Sequence, residues 1–332
     1  MLSRFCESMR PESARPCFRA VAKAGSPKRR RAAMVRAEQY LLPEIARRVR
    51  RLDLRAKFIV QGFLAGLNDS PYRGFSLEFS EHRKYAPGDD PKTLDWTAWA
   101  KTDRLYVKTF RAETNLEAYV LVDTSRSMAF AARDGDMTKL QYATALAAAL
   151  GYLLTAQRDA VGLGLLGSDL NRLLRPHTGR RQLVRILAEL DQAAGEGPTD
   201  LAPGLHALAR RIKRHSLVLL VSDLVDEPGP VLEALRHLTF RGHDLVVFQV
   251  LDAAERQLDF SGPVVLEDPE TGTRVATDAD AIRAAYTRRV RDFVDTYERG
   301  VRDMGGDFVA MTTCTPFDVA LCRFLSERKR RF

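Results

Sequence analysis

The chain is poor in the residues that build soft-metal or thiol chemistry. It has four cysteines in 332 residues, Cys6, Cys17, Cys314 and Cys322, and no two of them have CxxC spacing. That excludes a zinc ribbon and gives no basis for a disulfide framework, and it suits a reducing cytoplasm. The six histidines are scattered, with no HxxxH or HExxH pair among them. No GxxxxGK[ST] loop occurs, so the chain should not itself be a P-loop ATPase. Long apolar runs are also missing. The stretch from Ala143 to Ala156 is too short and too rich in alanine to cross a bilayer, and no secretory signal is evident.

Positive charge is plentiful only at one end. The net charge is +9, yet residues 1–33 hold nine Lys/Arg against two acids, which is +7 of that total and leaves about +2 for everything after them. A body so close to neutral makes no general field for polyanions, which argues against nucleic acid as the partner. The basic segment itself has no apolar periodicity. It reads as a disordered extension or as an over-called start, and residues from Met34 onward as the folded chain.

What is present is the pattern of an α/β protein. A helix is predicted from Pro43, with Ile45, Val49, Leu52, Ala56, Ile59 and Phe63 on one stripe and five arginines on the other face. Residues 66–115 alternate turn signals with short β-like pieces, "FSLEF" and "RLYVKTF", and hold both tryptophans. From Leu116 a βα alternation sets in. "EAYVLVD", "DAVGLGLLG", "SLVLLVSD", "DLVVFQVLD" and "DFVAMTT" read as strands of a mostly parallel, doubly wound sheet with helices on both faces. "NRLLRPH" reads as an antiparallel strand, and "VVLEDPETGTRVA" as an inserted hairpin. The domains are therefore 1–33 (basic extension), 34–115 (helix and β-rich segment) and 116–332 (the α/β domain).

"GLGLLG" at residues 162–167 matches a dinucleotide fingerprint, but it lies inside a strand and does not open a helix. It reads as small residues packed against neighbouring helices.

The chemistry gathers at strand ends, where open α/β sheets bind ligands. The first strand ends in "DTSRS", which offers Asp123, Ser125 and Ser127. The strongest strand ends at Asp223, and the loop "GEGPTDL" offers Thr199. These are all hard oxygen donors. Two carboxylates with neutral hydroxyls suit Mg2+, with Mn2+ or Ca2+ as substitutes, and disfavour zinc or copper. The bland alternative is a capped strand-to-helix turn.

At these residues the chain resembles a von Willebrand factor type A domain with a metal-ion-dependent adhesion site. The "R-x-Y-x-x-G-D-D-x-x-x-x-D-W" block formed by Arg83, Tyr85, Gly88, Asp89, Asp90, Asp95 and Trp96 is similar to the signature of the bacterial domain-of-unknown-function-58 proteins. That resemblance implies a non-enzymatic adaptor beside a MoxR-type AAA+ ATPase and a client protein, with a partner carboxylate completing the ion's shell. It implies no small-molecule substrate. The alternative on the same residues is a Mg2+-dependent hydrolase or phosphoesterase. Asp89 and Asp90 are candidates for lying near the ion.

Overall fold

The computed structural model describes residues 116–322 almost continuously, with short pieces before them: Arg19–Ala20, His82–Lys84, Tyr106–Lys108 and helical residues between 52 and 60. The strands are β1 (Arg19–Ala20), β2 (His82–Lys84), β3 (Tyr106–Lys108), β4 (Glu117–Asp123), β5 (Ala160–Leu166), β6 (Leu170–His177), β7 (Ser216–Ser222), β8 (Asp244–Leu251), β9 (Pro263–Glu267), β10 (Arg274–Asp278) and β11 (Asp307–Thr312). The helices are α1 (Lys139–Ala156), α2 (Arg180–Asp191), α3 (Leu201–Arg211), α4 (Pro228–Phe240), α5 (Ala253–Gln257) and α6 (Ala279–Asp303), with a 3-10 turn at Arg126–Ala129.

Six strands form the central sheet in the order β11-β8-β7-β4-β5-β6. Only β6 runs antiparallel to its neighbour; the other four pairings are parallel. The apolar runs of β4, β7 and β8 are buried along nearly their whole length, as strands covered on both faces must be. On one face Tyr119, Leu121, Val218, Leu220, Leu245 and Val247 pack against α3, α4 and α6. On the other lie α1 and α2. Helix α1 has almost no amphipathic stripe because nearly all its residues are buried. Its Tyr142 ring stacks on Phe317 at 4.6 Å, and Leu52, from the first predicted helix, borders the same helix beside Leu140 and Thr144. Leu52, Ala56 and Ile59 are all buried, as that helix's stripe predicts.

The strand order places the switch point of the sheet between β4 and β7. The chain runs outward from β4 through β5 to β6, then returns to the opposite side of β4 and continues through β7, β8 and β11. Val122 is in register with Val221, so Asp123 and Ser222 emerge side by side at the carboxyl rim.

The glycines of "GLGLLG" serve packing between strands, not against helices as the sequence suggests. A Cβ on Gly162 would meet the Leu174 carbonyl oxygen on β6 at 2.7 Å, and one on Gly164 would meet Leu121 Cδ2 on β4 at 2.6 Å.

Residues 67–115 form a separate compact unit, within which β2 and β3 pair antiparallel. The predicted strand "FSLEF" and the "PGDD" block, with Asp89 and Asp90, lie outside the described residues. So does nearly all of the basic segment 1–33; its Arg19 and Ala20 pair antiparallel with β9. Residues 317–322 are helical, and the residues after them lie outside the described ones.

Candidate metal centre at the sheet rim

Strand β4 ends at Asp123 because the next residues trade sheet bonding for loop bonding. Thr124 donates both its backbone N–H and its hydroxyl to the Leu166 carbonyl at the end of β5, each at 2.7 Å. The chain then enters the 3-10 turn, which faces Ser125 and Ser127 inward and leaves Arg126 exposed.

The loop carrying Thr199 is stitched to this turn by backbone bonds. Glu196 N–H donates to the Thr124 carbonyl at 2.9 Å, and Arg126 N–H donates to the Gly197 carbonyl at 3.0 Å. Gly197 has φ of +78°, a conformation favoured by glycine. A Cβ on Gly195 would press on Ala129 at 2.8 Å. Two glycines in "GEGPT" thus allow the second loop to lie against the first.

The five predicted residues Asp123, Ser125, Ser127, Thr199 and Asp223 are all buried and come together. Asp123 Oδ1 accepts from Ser125 N–H at 2.8 Å, and its Oδ2 accepts from the Ser222 hydroxyl at 2.6 Å. The Ser125 and Ser127 hydroxyls are 2.9 Å apart, and the Ser127 and Thr199 hydroxyls 3.3 Å. Asp223 directly follows Ser222 and is fully buried.

These spacings fit a small hard cation. An octahedral shell with metal–oxygen distances of about 2.1 Å has edges of about 3.0 Å. Neighbouring hydroxyls at 2.9 and 3.3 Å are close to that edge length. The electrostatics point the same way. Burial, reinforced by the nearby Asp223 carboxylate and opposed by the Ser222 and Ser125 hydrogen bonds, pushes the Asp123 carboxyl up to about 7. A divalent ion beside it would remove that penalty. Among the described residues no three His, Cys, Asp or Glu side chains cluster as a metal site, so the fit rests on hydroxyls beside Asp123.

Sequence reasoning missed four participants. Lys139, the first residue of α1, is fully buried and donates from Nζ to both Asp223 Oδ2 and Glu255 Oε1, each at 2.8 Å. Asp223 Oδ1 meanwhile accepts from Val225 N–H at 3.1 Å. Asp223 is therefore directed toward the Lys139 ammonium and its own turn. Glu255 closes a capping box with Asp252 at the start of α5. The D-A-A-E spacing could have revealed that box, though not its partner 116 residues away. Burial pushes the Glu255 carboxyl up to about 7 against the lowering effect of Lys139.

The third is Ser222, whose hydroxyl also accepts from Leu224 N–H at 2.9 Å. Leu224 sits at φ of +56°, a rare conformation for a branched residue, held by this bond and by Asp226 N–H donating to its carbonyl. The fourth is Glu270, at the turn of the β9–β10 hairpin. Its Oε1 accepts from Thr199 N–H at 3.1 Å and makes a short hydrogen bond with the Thr199 hydroxyl. Beside the site a cleft of about 410 Å³ runs between the 3-10 turn and the hairpin, bordered by Arg126, Phe130, Arg133, Glu267 and Pro269.

Comparison with known proteins places this arrangement in context. Uncharacterized proteins of Mycobacterium tuberculosis and Mycobacterium bovis are 29% identical over 294 residues, covering 87% of this chain and 91% of theirs. Among solved structures, the conserved hypothetical protein BatB from Bacteroides thetaiotaomicron is 13% identical with a TM-score of 0.42, covering 65% of this chain and 99% of that one. An aerotolerance-related membrane protein from Bacteroides fragilis is 14% identical with a TM-score of 0.43 over the same shares. Within this chain, no helix among the described residues is long and apolar enough to cross a membrane. The model of the family described as "Protein of unknown function DUF58" matches residues 81–295, which include the whole rim site, and the chain belongs to that family.

Proposed function

We propose that the chain is a non-enzymatic, Mg2+-dependent protein-interaction module that captures a carboxylate of a partner protein at the sheet rim. The observation that carries this reading is the series of hydroxyls Ser125, Ser127 and Thr199, drawn from two loops and spaced like neighbours in an octahedral shell, with Asp123 held beside it by the Ser125 backbone N–H. Asp123, Ser125, Ser127 and Thr199 would hold the ion, and Asp223 would act on it from a second sphere. When bound, the ion supplies a positive centre that an acidic side chain can ligate. Mn2+ or Ca2+ would serve in its place.

The family resemblance extends this reading to a MoxR-type AAA+ ATPase and a client protein as partners, and the cysteine usage suits a cytoplasmic setting. The arrangement favours holding over turnover. The Ser125 and Ser127 hydroxyls contact each other and Ser222 is committed to Asp123, so none of these three stands in a hydrogen bond to a histidine base among the described residues, as a serine nucleophile would require.

The deciding experiment is titration calorimetry of Mg2+ into the wild-type chain and D123A, followed by pull-down from lysate with Mg2+ or EDTA. Saturable binding lost in D123A, with partner capture lost in EDTA, supports the module. Hydrolysis of generic phosphoesters that disappears in D123A would replace it with the hydrolase reading.

A further inference from the structure

The β9–β10 hairpin carries an acid into the site from within the chain. Its turn is tied by hydrogen bonds: Asp268, itself buried, accepts Glu270 N–H on Oδ1 at 2.9 Å, Asp268 N–H donates to the Thr273 carbonyl at 2.9 Å, and Gly272 N–H donates to the Asp268 carbonyl at 2.8 Å. Gly272, at φ of +69°, lets the chain reverse there. The turn aims Glu270 at Thr199, where one carboxylate oxygen takes both the backbone N–H and the hydroxyl.

Thr199 is the hydroxyl at the end of the series from Ser125 through Ser127. Glu270 therefore adds a carboxylate to the Thr199 end of that series.

Building on the metal-dependent reading above, we infer that Glu270 is an internal carboxylate ligand that closes the open side of the site, so that a partner acid binds by displacing it. The hairpin then sets the threshold for capture: only a partner whose acid is backed by further contacts in the adjoining cleft, which two arginines, Arg126 and Arg133, and two acids, Asp136 and Glu267, line, replaces a tethered competitor. A tethered acid competes at the high effective concentration of an intramolecular ligand, in the millimolar range or above. Free monocarboxylates should therefore fail against the wild-type chain.

Mn2+ is the probe, read by water proton relaxation with and without acetate, on the full chain and on E270A, E270Q and D123A, each checked for folding by circular dichroism. In the wild-type chain, bound Mn2+ should show low relaxivity, unchanged by acetate. E270A should bind Mn2+ about tenfold more weakly, with a relaxivity higher by about one coordinated water, and acetate should lower that relaxivity again. E270Q should weaken binding in the same direction and guards against a folding defect in E270A. Equal hydration and equal acetate response in wild type and both Glu270 variants, with binding still lost in D123A, overturns the internal ligand alone. Absence of Mn2+ binding to the wild-type chain overturns the metal-dependent reading and this one together.

Discussion

Lys139 Nζ lies 2.8 Å from Asp223 Oδ2, and both side chains are wholly buried. The same ammonium reaches Glu255 at 2.8 Å and sits 5.6 Å from the centre of the Phe130 ring. The helix that closes one face of the sheet thus begins with a cation placed among the acids of the rim. It pairs with Asp223 and Glu255, and among the described residues no ion pair reaches Asp123.

Removing that cation should be costly. K139M leaves two buried carboxylates without their partner, and breaking a buried pair from one side costs roughly 3–5 kcal/mol. Chemical denaturation in EDTA should show a loss of that order. The loss should shrink in saturating Mg2+, which supplies positive charge to the same cluster. A loss below about 1 kcal/mol would mean that Lys139 adds little to the stability of this cluster.

The buried acids also set a pH dependence. The folded-state value for Asp123 is raised from 3.8 to about 7. The folded chain therefore takes up a proton that the unfolded chain does not, over that window. Stability contributed by this group is largest at the acid end and falls as pH rises toward 7. In EDTA, wild type should gain stability relative to D123N as pH is lowered from 7 to 5. In saturating Mg2+ the trend should reverse, since an ion binds the ionised carboxylate. A difference independent of both pH and Mg2+ would show that Asp123 does not titrate in this range.

The hydroxyls should act in metal binding and add little to stability. S127A and T199V each remove one oxygen of the series. Each should weaken Mg2+ binding by about tenfold or more in calorimetry, while midpoints of unfolding in EDTA change by no more than about 1 kcal/mol equivalent. If the order is inverted, with large stability losses and unaltered Mg2+ affinity, the hydroxyls serve only to cap turns.

The strand glycines can be graded against each other. An added methyl on Gly162 meets a backbone carbonyl of β6, whereas on Gly164 it meets the tip of the Leu121 side chain. Overpacking of a tight core costs about 1–3 kcal/mol. G162A should fall at the upper end, because a strand must shift, and G164A lower, because a side chain can turn. Thermal denaturation of the two variants checks the order.

Much of the α/β frame was readable because each element carries its own local signal. The Val/Leu runs of β4, β7 and β8 are the pattern of strands covered on both faces, and the sheet buries them so. The stripe read from Pro43 onward is buried at Leu52, Ala56 and Ile59. Asp123, Ser125 and Ser127 were legible for the same reason: three donors within five residues at a strand end make a local pattern.

Lys139 was not legible. In the sequence it reads as the polar first residue of a helix, and lysine at such a position normally faces water. Only the crossing of α1 over the rim, beside residues 84 and 116 positions away, makes it a buried counter-ion. Glu270 was hidden differently. The hairpin was visible in the sequence, but an acid in a turn is the most ordinary of residues. Its role depends on where the turn points.

The amino-acid sequence alone determined the elements, their order and the donors offered at each strand end, since these depend on periodicity, capping and side-chain chemistry over a few residues. Tertiary structure decided which of the distant charges meet: Lys139 with Asp223 and Glu255, and Glu270 with Thr199. Hydrogen bonds and ion pairs act over about 3 Å, and chain segments 71 to 116 residues apart reach that range only after the sheet and its helices have packed.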